Sequence, residues 1–555
     1  MDFPASKVDF SVSARRRRLL RVGTAAVASG LWSSLRESPL GSAAADDDST
    51  AGTDSSSADW PLPGLDARNT NYQAGSAGPS DRLRIDWRSE DDDFSAGVSM
   101  AGGVVYASGT NSPGDQNGQA LRAIDVSANE RRWETAIPEY RLWQPAVEDG
   151  IVVVGNHYGK LYGVDAATGR IEWRYGPGKR GFHPVALVDG VVYGTHTSRD
   201  GEGIFAVDAQ TGTERWWREF APIVSSCAVA DGVVYAGGYR VDAEESTADD
   251  ESSAGVVAFD ASDGRRRWSY TPADRRLAVT TGSPTVTDGR VHFGAITADP
   301  KRWLVGAIDA ETGRGRWQRV FDHEVDGRLA VADGTLYAPV EGGIRAFDAE
   351  TGADEWSHRR PNYRYPGFAR QSASSPAVTD EAVYFTAGDR AVHVLDPETG
   401  THRCQYNFGQ RGRPRNCVVA DGTLYLWVEG RLYALGDGGQ NSRDGQNSRD
   451  GQSSRGGQSS RGGVTAGFRM RRMDRRDDGP PHTFRVGREI GFFAERSVGP
   501  VGEYEWDLTG DGTTDATGMG ATAAYETPGE KSVTLRVHSD GGRTDTRTKS
   551  FTVTR

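Results

Sequence analysis

The sequence predicts an all-β chain, an eight-bladed β-propeller followed by an immunoglobulin-like β-sandwich. Three observations predict it. A short motif recurs seven times with one fixed internal spacing, and an Asp-Gly hairpin signal precedes most copies. The composition also combines 71 glycines with only 36% hydrophobic residues. Such a composition is typical of many short strands joined by turns.

The motif contains an aspartate, a Thr-Gly pair and a tryptophan. Its clearest copy is VDAATGRIEW at 164–173. In six copies the tryptophan follows the aspartate by eight residues, and in the seventh Cys404 takes its place. Upstream stand an apolar run, Asp-Gly and a second apolar run, as in PAVEDGIVVVG at 145–155. Asp-Gly indicates a hairpin and Thr-Gly a further turn, so each repeat supplies four strands, A to D.

A ring of four-stranded sheets buries faces that one such sheet leaves open. Seven complete repeats run from about residue 98 to 408. Residues 418–436 supply strands A to C of an eighth, and residues 83–89 supply its strand D. We expect these ends to pair, which removes open sheet edges. The tryptophans expected to fill the gaps between blades are Trp87, Trp133, Trp173, Trp216, Trp268, Trp317 and Trp356.

These motifs resemble the pyrroloquinoline-quinone-like (PQQ-like) propeller repeat, and the resemblance covers about residues 81–436. WPLPGLDARNTNY at 60–72 resembles the leading segment of such proteins. Quinoprotein dehydrogenases of this fold carry a vicinal cysteine pair and a calcium-binding Glu/Asn/Asp set. Here the cysteines, Cys227, Cys404 and Cys417, are neither vicinal nor in a haem motif. The resemblance therefore implies a non-catalytic protein without a cofactor.

Function is expected at the end of the ring that carries the B–C and D–A loops, because these loops vary between repeats. The A–B and C–D turns at the other end repeat Asp-Gly and Thr-Gly. His157, His196 and Tyr239 follow strand B in three successive repeats and are candidate ligand contacts. Ordinary surface residues are the alternative interpretation.

The first 45 residues predict an export signal. Four arginines at 15–18 precede a weakly apolar stretch at 22–32 and three alanines at 43–45. The arginine run resembles a twin-arginine signal; a basic N-terminal arm is the alternative. Residues 46–59 are acidic and are expected to form a tether. No later stretch reaches the ~18 apolar residues that span a bilayer, so no transmembrane segment is expected.

The charge is acidic, with 77 Asp and Glu against 65 Lys and Arg, a net charge of −12. Only six of the basic residues are lysines. This balance resembles proteins of salt-loving microbes, and we expect a haloarchaeal source; a GC-rich genome is the alternative explanation of scarce lysine. The negative charge argues against nucleic acid or an anionic membrane as a partner.

The C-terminal part separates into a linker and a domain. Residues 437–463 contain a repeat of Gly, Ser, Gln and Arg and are expected to be a flexible linker. Within 464–555, EYEWDLTGDGTTDATG at 503–518 resembles the polycystic-kidney-disease (PKD) domain. That resemblance implies a β-sandwich of extracellular proteins. Calcium is conceivable at Asp507, Asp511 and Asp515, with solvated turn acids as the alternative.

These features predict a secreted or cell-surface protein, a monomer that binds a protein or polysaccharide through the loops of the propeller at 60–436. Two alternatives stay open. A PQQ-dependent oxidoreductase is opposed by the absent cysteine pair. An envelope-assembly factor resembling the propeller of outer-membrane barrel assembly needs an anchor that the sequence does not show.

Overall fold

A computed structural model describes residues 59–89, 94–110, 119–137, 141–176, 182–196, 203–220, 225–238, 255–271, 277–297, 302–322, 325, 327–359, 374–409, 412–437, 463–473, 482–539 and 541–555. The predicted export signal, nearly all of the tether and most of the linker lie outside the described residues. The described part is built of 41 β-strands. Within it, no helix has the length and apolar character that crossing a membrane requires.

Strands of the N-terminal part form eight four-stranded antiparallel units, called sheets 1 to 8. Two strands precede the first complete sheet: β1 (Tyr72–Gln73) and β2 (Arg84–Arg88). Sheet 1 contains β3 (Phe94–Ala101), β4 (Val104–Thr110), β5 (Gln119–Asp125) and β6 (Glu130–Ile137); sheet 2 contains β7 (Ala146–Glu148), β8 (Ile151–Gly155), β9 (Leu161–Asp165) and β10 (Ile171–Tyr175); and sheet 3 contains β11 (Ala186–Val188), β12 (Val191–His196), β13 (Gly203–Asp208) and β14 (Glu214–Glu219). Sheet 4 contains β15 (Ala228–Ala230), β16 (Val233–Gly237), β17 (Val256–Asp260) and β18 (Arg266–Tyr270); sheet 5 contains β19 (Leu277–Thr287), β20 (Arg290–Thr297), β21 (Trp303–Asp309) and β22 (Gly315–Phe321); and sheet 6 contains β23 (Ala330–Ala332), β24 (Thr335–Val340), β25 (Gly343–Asp348) and β26 (Asp354–Arg359). Sheet 7 contains β27 (Ala377–Thr379), β28 (Val383–Thr386), β29 (Ala391–Leu395) and β30 (His402–Asn407), and sheet 8 contains β31 (Pro414–Ala420), β32 (Thr423–Val428), β33 (Arg431–Gly436) and β2.

The Asp-Gly pairs form the turns between strands A and B. Asp149 has a φ of 46° and Gly150 a φ of 77°, and both lie between β7 and β8. Positive φ at both central residues is the backbone of a type I′ turn, whose twist matches that of the flanking strands. The same pair of positive φ values recurs in five further sheets, at Asp189, Asp231, Asp288, Asp333 and Asp421 and the glycine that follows each.

The Thr-Gly turns between strands C and D explain the constant spacing of the motif. Asp165 accepts hydrogen bonds from the backbone nitrogen and hydroxyl of Thr168, at 2.8 and 2.6 Å, which fixes the turn. Gly169 then adopts a φ of 75° and lies against the ring of Trp133 from the preceding sheet. A Cβ atom there would lie 2.7 Å from that ring, so only glycine fits.

Six of the repeats are each joined to the next by a hydrogen bond from their tryptophan. The indole nitrogen of Trp133 donates a 2.9 Å hydrogen bond to the carbonyl oxygen of Ala166, which follows the turn aspartate of sheet 2. Equivalent bonds, all between 2.8 and 3.0 Å, join Trp173 to Ala209, Trp216 to Ala261, Trp268 to Ala310, Trp317 to Ala349 and Trp356 to Pro397. In the seventh copy Cys404 is fully buried in place of tryptophan.

The two ends of this region meet in sheet 8. Strand β2 pairs antiparallel with β33, with Arg84 opposite Gly436 and Arg88 opposite Tyr433. This confirms the pairing predicted for residues 83–89 and 431–436. Trp87 is half-buried there, 6.2 Å from the ring of Tyr425. The inner strands of consecutive sheets contact one another in order, and the first inner strand, β3, also contacts the last, β31, so the series is continuous.

The C-terminal strands form two sheets around one hydrophobic core. They are β34 (Arg469–Arg472), β35 (Thr483–Arg485), β36 (Glu489–Phe493), β37 (Gly499–Asp507), β38 (Ala516–Thr517), β39 (Gly520–Ala524), β40 (Gly529–Ser539) and β41 (Thr544–Thr554). One sheet has the order β34-β36-β39, and the other contains β35, β41, β40, β37 and β38. Trp506 is fully buried in the shared core.

This C-terminal domain continues a sheet of the repeats. Strand β37 pairs antiparallel with β30, the outer strand of sheet 7, with Tyr406 opposite Pro500 and Asn407 opposite Gly499. The hydroxyl oxygen of Tyr504 accepts hydrogen bonds from the side-chain amides of Gln405, at 3.1 Å, and Asn407, at 3.4 Å. The two parts therefore meet through backbone pairing and buried polar contacts.

Candidate functional site

The segment of residues 60–73, called the N-terminal segment, follows the inner strands of the sheets from one to the next. In six sheets, the backbone nitrogen of the residue two positions before the A–B turn donates a hydrogen bond to a carbonyl oxygen of the N-terminal segment, at 2.6–3.0 Å. The pairs are Met100 with Trp60, Val147 with Pro61, Val229 with Ala67, Val286 with Arg68, Val331 with Thr70 and Val378 with Asn71. The segment thus provides hydrogen-bond acceptors for the inner strands of six sheets, at the same position in each strand.

Two asparagines hold the centre of this segment. The side-chain amide of Asn69 donates to the carbonyl oxygens of Cys227 and Pro284, both at 3.0 Å. The amide of Asn71 donates to the carbonyl oxygen of Leu329 at 2.9 Å. Both asparagines have positive φ, 59° and 51°, a conformation that asparagine tolerates better than most residues. Both are buried, so they pin the segment to sheets 4, 5 and 6.

This arrangement distinguishes the two ends of the series of sheets. The N-terminal segment binds close to the Asp-Gly turns, at the end that carries the A–B and C–D turns. The strand ends that lead into the B–C and D–A loops lie at the opposite end, here called the loop end. A ligand that approaches the inner strands from the turn end meets the N-terminal segment first, so the loop end is the candidate binding surface.

An aromatic cluster stands at the loop end between sheets 2 and 3. The B–C turn of sheet 2 exposes His157 and also Tyr158, whose side chain is 44% exposed. The ring of His157 lies 6.1 Å from that of Tyr158 and 6.3 Å from that of Trp143, which belongs to the preceding D–A loop. Exposed rings of this kind offer stacking surfaces to sugars and apolar contacts to peptides.

The predicted residues differ in accessibility. His196 ends β12 and is 2% exposed, with its ring 5.1 Å from that of Phe182 and 5.5 Å from that of Trp217. His157 lies beyond the end of its strand and faces solvent. Tyr239 lies outside the described residues. Ligand binding by these residues stays a prediction.

His183 lies near His157 and His196 and was not predicted from the sequence. Burial, followed by the proximity of His157 and His196, lowers its pKa to about 4. It is therefore a neutral imidazole near neutral pH, able to donate or accept a hydrogen bond. A local signal existed: His183 stands six residues before the turn aspartate Asp189, in the segment that leads into β11.

The three C-terminal aspartates accept hydrogen bonds from backbone nitrogens of their own loop. Asp507 accepts hydrogen bonds from the backbone nitrogens of Gly510, at 2.6 Å, and Gly512, at 2.8 Å. Asp511 and Asp515 likewise accept from backbone nitrogens of this loop. Across the described residues, no group of three acidic, histidine or cysteine side chains is placed to hold a metal ion. Calcium binding at these aspartates stays a prediction.

The cysteines lie within the hydrophobic core. Cys227, Cys404 and Cys417 are buried, and none of them forms a disulfide bond. Burial raises the pKa of Cys227 and of Cys417 to about 12. A thiol of such high pKa is protonated at neutral pH and is a poor nucleophile and metal ligand.

Repeated four-stranded sheets joined by a tryptophan-to-turn bond define this chain as a PQQ-like repeat protein. The family model described as "Outer membrane protein assembly factor BamB" matches residues 64–175, 117–299 and 295–464, and the chain belongs to this family. The model of the PKD domain matches residues 476–554.

The share of each curated relative that this chain matches differs from one relative to another. The serine/threonine-protein kinase AfsK of Streptomyces griseus is 29% identical over 32% of this chain, and the match spans only 22% of the kinase. The outer membrane protein assembly factor BamB of Burkholderia pseudomallei is 25% identical over 60% of this chain and 81% of its own length. The repeats are thus common to proteins of unlike description.

A solved structure shows the same fold. The quinohemoprotein alcohol dehydrogenase ADHIIG of Pseudomonas putida HK5 aligns with a TM-score of 0.54 at 15% identity. The alignment covers 71% of this chain and 82% of that chain. At this identity the likeness shows the β-propeller fold alone.

Proposed function

We propose that this chain is a secreted or cell-surface scaffold that binds a protein or polysaccharide at the loop end of an eight-bladed propeller. Sheets 1 to 8 are its blades, and the C-terminal domain is an immunoglobulin-like PKD sandwich that extends blade 7. We also propose that the protein acts as a monomer; in support, the N-terminal segment and the β2–β33 pairing complete the ring without a strand from a second chain.

The observation that carries this proposal is the asymmetry of the two ends. The N-terminal segment hydrogen-bonds to the inner strands at the turn end, whereas exposed aromatic rings stand at the loop end. A rigid ring that presents variable loops at one end is a common arrangement for recognition.

A capture experiment with matched surface variants tests the proposal. The immobilised chain is exposed to the extracellular and envelope fractions of the source organism, with and without prior protease digestion. We expect a retained component whose binding is lost in the double variant His157→Ser, Tyr158→Ser. The control, Gln210→Ser with Glu311→Ser, alters exposed C–D turns at the opposite end and should retain full capture.

Protease treatment separates the two ligand classes, because a polysaccharide survives it and a protein does not. Equal loss of capture in the loop-end and turn-end variants would contradict the proposed face. Capture by neither the native chain nor the control would contradict the scaffold function itself.

We further propose that the chain is not an enzyme and holds no quinone. In support, the sequence has no vicinal cysteine pair, and two of its three thiols have pKa values raised to about 12. Incubation with pyrroloquinoline quinone, calcium and a dye acceptor should give no oxidation of alcohols or sugars. Saturable turnover under these conditions would overturn this part.

Membership of the BamB-described family favours a second candidate function, a role in envelope assembly with a protein partner. The capture experiment distinguishes it, since the retained component would then be an envelope protein. Export is tested separately: changing Arg16 and Arg17 to lysine should stop secretion while folded protein accumulates inside, and normal export would reject the twin-arginine route.

A further inference from the structure

A ring of equivalent positions lies five residues before each A–B turn, one position in every sheet. It lies three residues farther toward the loop end than the backbone nitrogens that bond to the N-terminal segment. In chain order its members are Gly97, Gln144, Pro184, Ser226, Ser283, Arg328, Ser375 and Asn416. Although the chain is acidic overall, this ring contains no carboxylate. Its polar members offer hydroxyl, amide and guanidinium donors.

The ring positions touch across neighbouring sheets. The hydroxyls of Ser226 and Ser283 share a hydrogen bond between sheets 4 and 5. The backbone nitrogen of Arg328 donates to the hydroxyl of Ser375, at 3.0 Å, between sheets 6 and 7. A Cβ atom placed on Gly97 would lie 2.3 Å from the amide oxygen of Gln144. These contacts place the members around the inner edge of one ring.

Arg328 is the one arginine of this ring, and its guanidinium turns toward the N-terminal segment. One terminal nitrogen, Nη1, donates to the carbonyl oxygen of Pro63. Within the described part of the chain, no carboxylate pairs with it, and burial alone lowers its pKa to about 10. The residue as a whole is half-buried.

Several other arginines of the repeats are paired with carboxylates. Arg267 bonds to Asp260 at 2.7 Å, and Arg290 bonds to Glu350 at 2.6 Å. A desolvated cation without a counter-charge is costly, and a group perturbed in this way is a candidate for a functional site. The carbonyl of Pro63 uses one of five guanidinium N–H donors and brings no charge.

We propose that Arg328 is the centre of an oxyanion-binding site at the inner ring, which takes a carboxylate or phosphate group. The guanidinium supplies a planar pair of donors for two anion oxygens. The hydroxyl of Ser375, which accepts a hydrogen bond from the backbone nitrogen of Arg328, is a further donor group of this ring position. This site is distinct from the aromatic cluster of sheets 2 and 3, and its ligand is a small anion rather than the macromolecule proposed above.

Anion titration of the full chain tests the site. Inorganic phosphate and acetate are titrated in separate calorimetric experiments at constant ionic strength, with chloride as the balancing anion. We expect saturable binding at one site and a rise of Tm with the logarithm of anion concentration. The anion that saturates at the lower concentration identifies the preferred group.

Variants assign the binding to Arg328. Arg328→Gln retains an amide donor for the carbonyl of Pro63 but removes the charge, and it should bind at least tenfold more weakly. Arg290→Gln removes a charge of the same kind from an ion pair and should bind as the native chain does. Arg328→Lys keeps the charge without the planar donor pair and should show intermediate affinity.

The proposal fails if neither anion binds saturably, or if Arg328→Gln binds as tightly as the native chain. If Arg328→Gln does not fold, Arg328→Lys carries the decision: weaker binding supports the site, and unchanged binding overturns it. Because purified protein and simple salts are used, this result is independent of whether a macromolecule is captured at the loop end.

Discussion

The indole nitrogen of Trp173 donates a 2.8 Å hydrogen bond to the carbonyl oxygen of Ala209, thirty-six residues later and in the next sheet. Its ring also packs against Gly212, where an added Cβ atom would lie 2.7 Å away. One side chain therefore closes a turn, fills the space between two sheets and fixes their register.

Replacement of Trp173 by alanine should destabilise the protein by about 3–5 kcal/mol, the usual cost of removing a buried large ring. The indole is 8% exposed, and its loss also leaves the carbonyl of Ala209 without its partner. Denaturant unfolding in high salt measures the change. Tyr158→Ala, at an exposed ring, is the control and should shift stability by less than about 1 kcal/mol. An unchanged midpoint for Trp173→Ala would show that the ring contributes no core packing.

Removal of the Asn69 side chain should weaken the attachment of the N-terminal segment. Asn69→Gly leaves the carbonyls of Cys227 and Pro284 without donors, which costs about 1–3 kcal/mol. Asn69→Ala should cost about 1–2 kcal/mol more, because alanine is strained at the φ of 59°. Hydrogen exchange at Val229 and Val286 should rise in both variants, and equal stability of the two would contradict the strain argument.

The sequence could predict the repeated part because its contacts recur. Each of the six Asp-to-Trp spacings reports the same turn and the same inter-sheet bond, so six copies corroborate one another, and the seventh keeps the spacing with Cys404 in place of tryptophan. The pairing of β2 with β33 followed by elimination, since residues 83–89 had a strand D pattern and residues 418–436 lacked one. The PKD motif similarly identified the C-terminal domain as a β structure.

Features that occur once could not be predicted in this way. The N-terminal segment contacts six sheets through its backbone, and backbone bonds leave no residue signature. Arg328 becomes unusual only when its repeat position is compared around the ring. The difference between His157 and His196 was also hidden, because β8 ends at Gly155 whereas β12 continues through His196.

Mild acid should destabilise the protein through His292, which is fully buried in β20. Burial, with a smaller effect of Arg290, lowers its pKa to about 3, whereas an unfolded histidine titrates near pH 6.5. The unfolded state therefore binds more protons between these values. The contribution of His292 is complete above pH 6.5 and declines as the pH falls toward 3, by about 2 kcal/mol at pH 5.

His292→Gln provides the comparison, because glutamine stays neutral throughout. The free energy of unfolding is measured from pH 7.5 to 5 for both proteins. The native chain should lose stability more steeply than the variant over this range. Parallel curves would contradict the assignment of a buried neutral imidazole at this position.

The contact between the repeats and the C-terminal domain should depend on Tyr504. Its hydroxyl is the common acceptor for Gln405 and Asn407, all three side chains are buried, and burial raises the pKa of the tyrosine, so the hydroxyl stays neutral. Tyr504→Phe leaves two amide donors without an acceptor and should cost about 1–3 kcal/mol. Because only two residue pairs join β30 to β37, this loss falls on a short contact, and calorimetry should show the C-terminal domain unfolding at a lower temperature and apart from the repeats.

Tyr525→Phe is the matched control: its hydroxyl donates to the carbonyl of Leu508 within the C-terminal domain, so its loss should lower the stability of that domain without changing the contact with sheet 7. Limited proteolysis of the linker distinguishes the two variants, since separation of the domains increases cleavage only in Tyr504→Phe. Equal cleavage and equal transitions in both variants would show that the buried hydroxyl does not hold the two parts together.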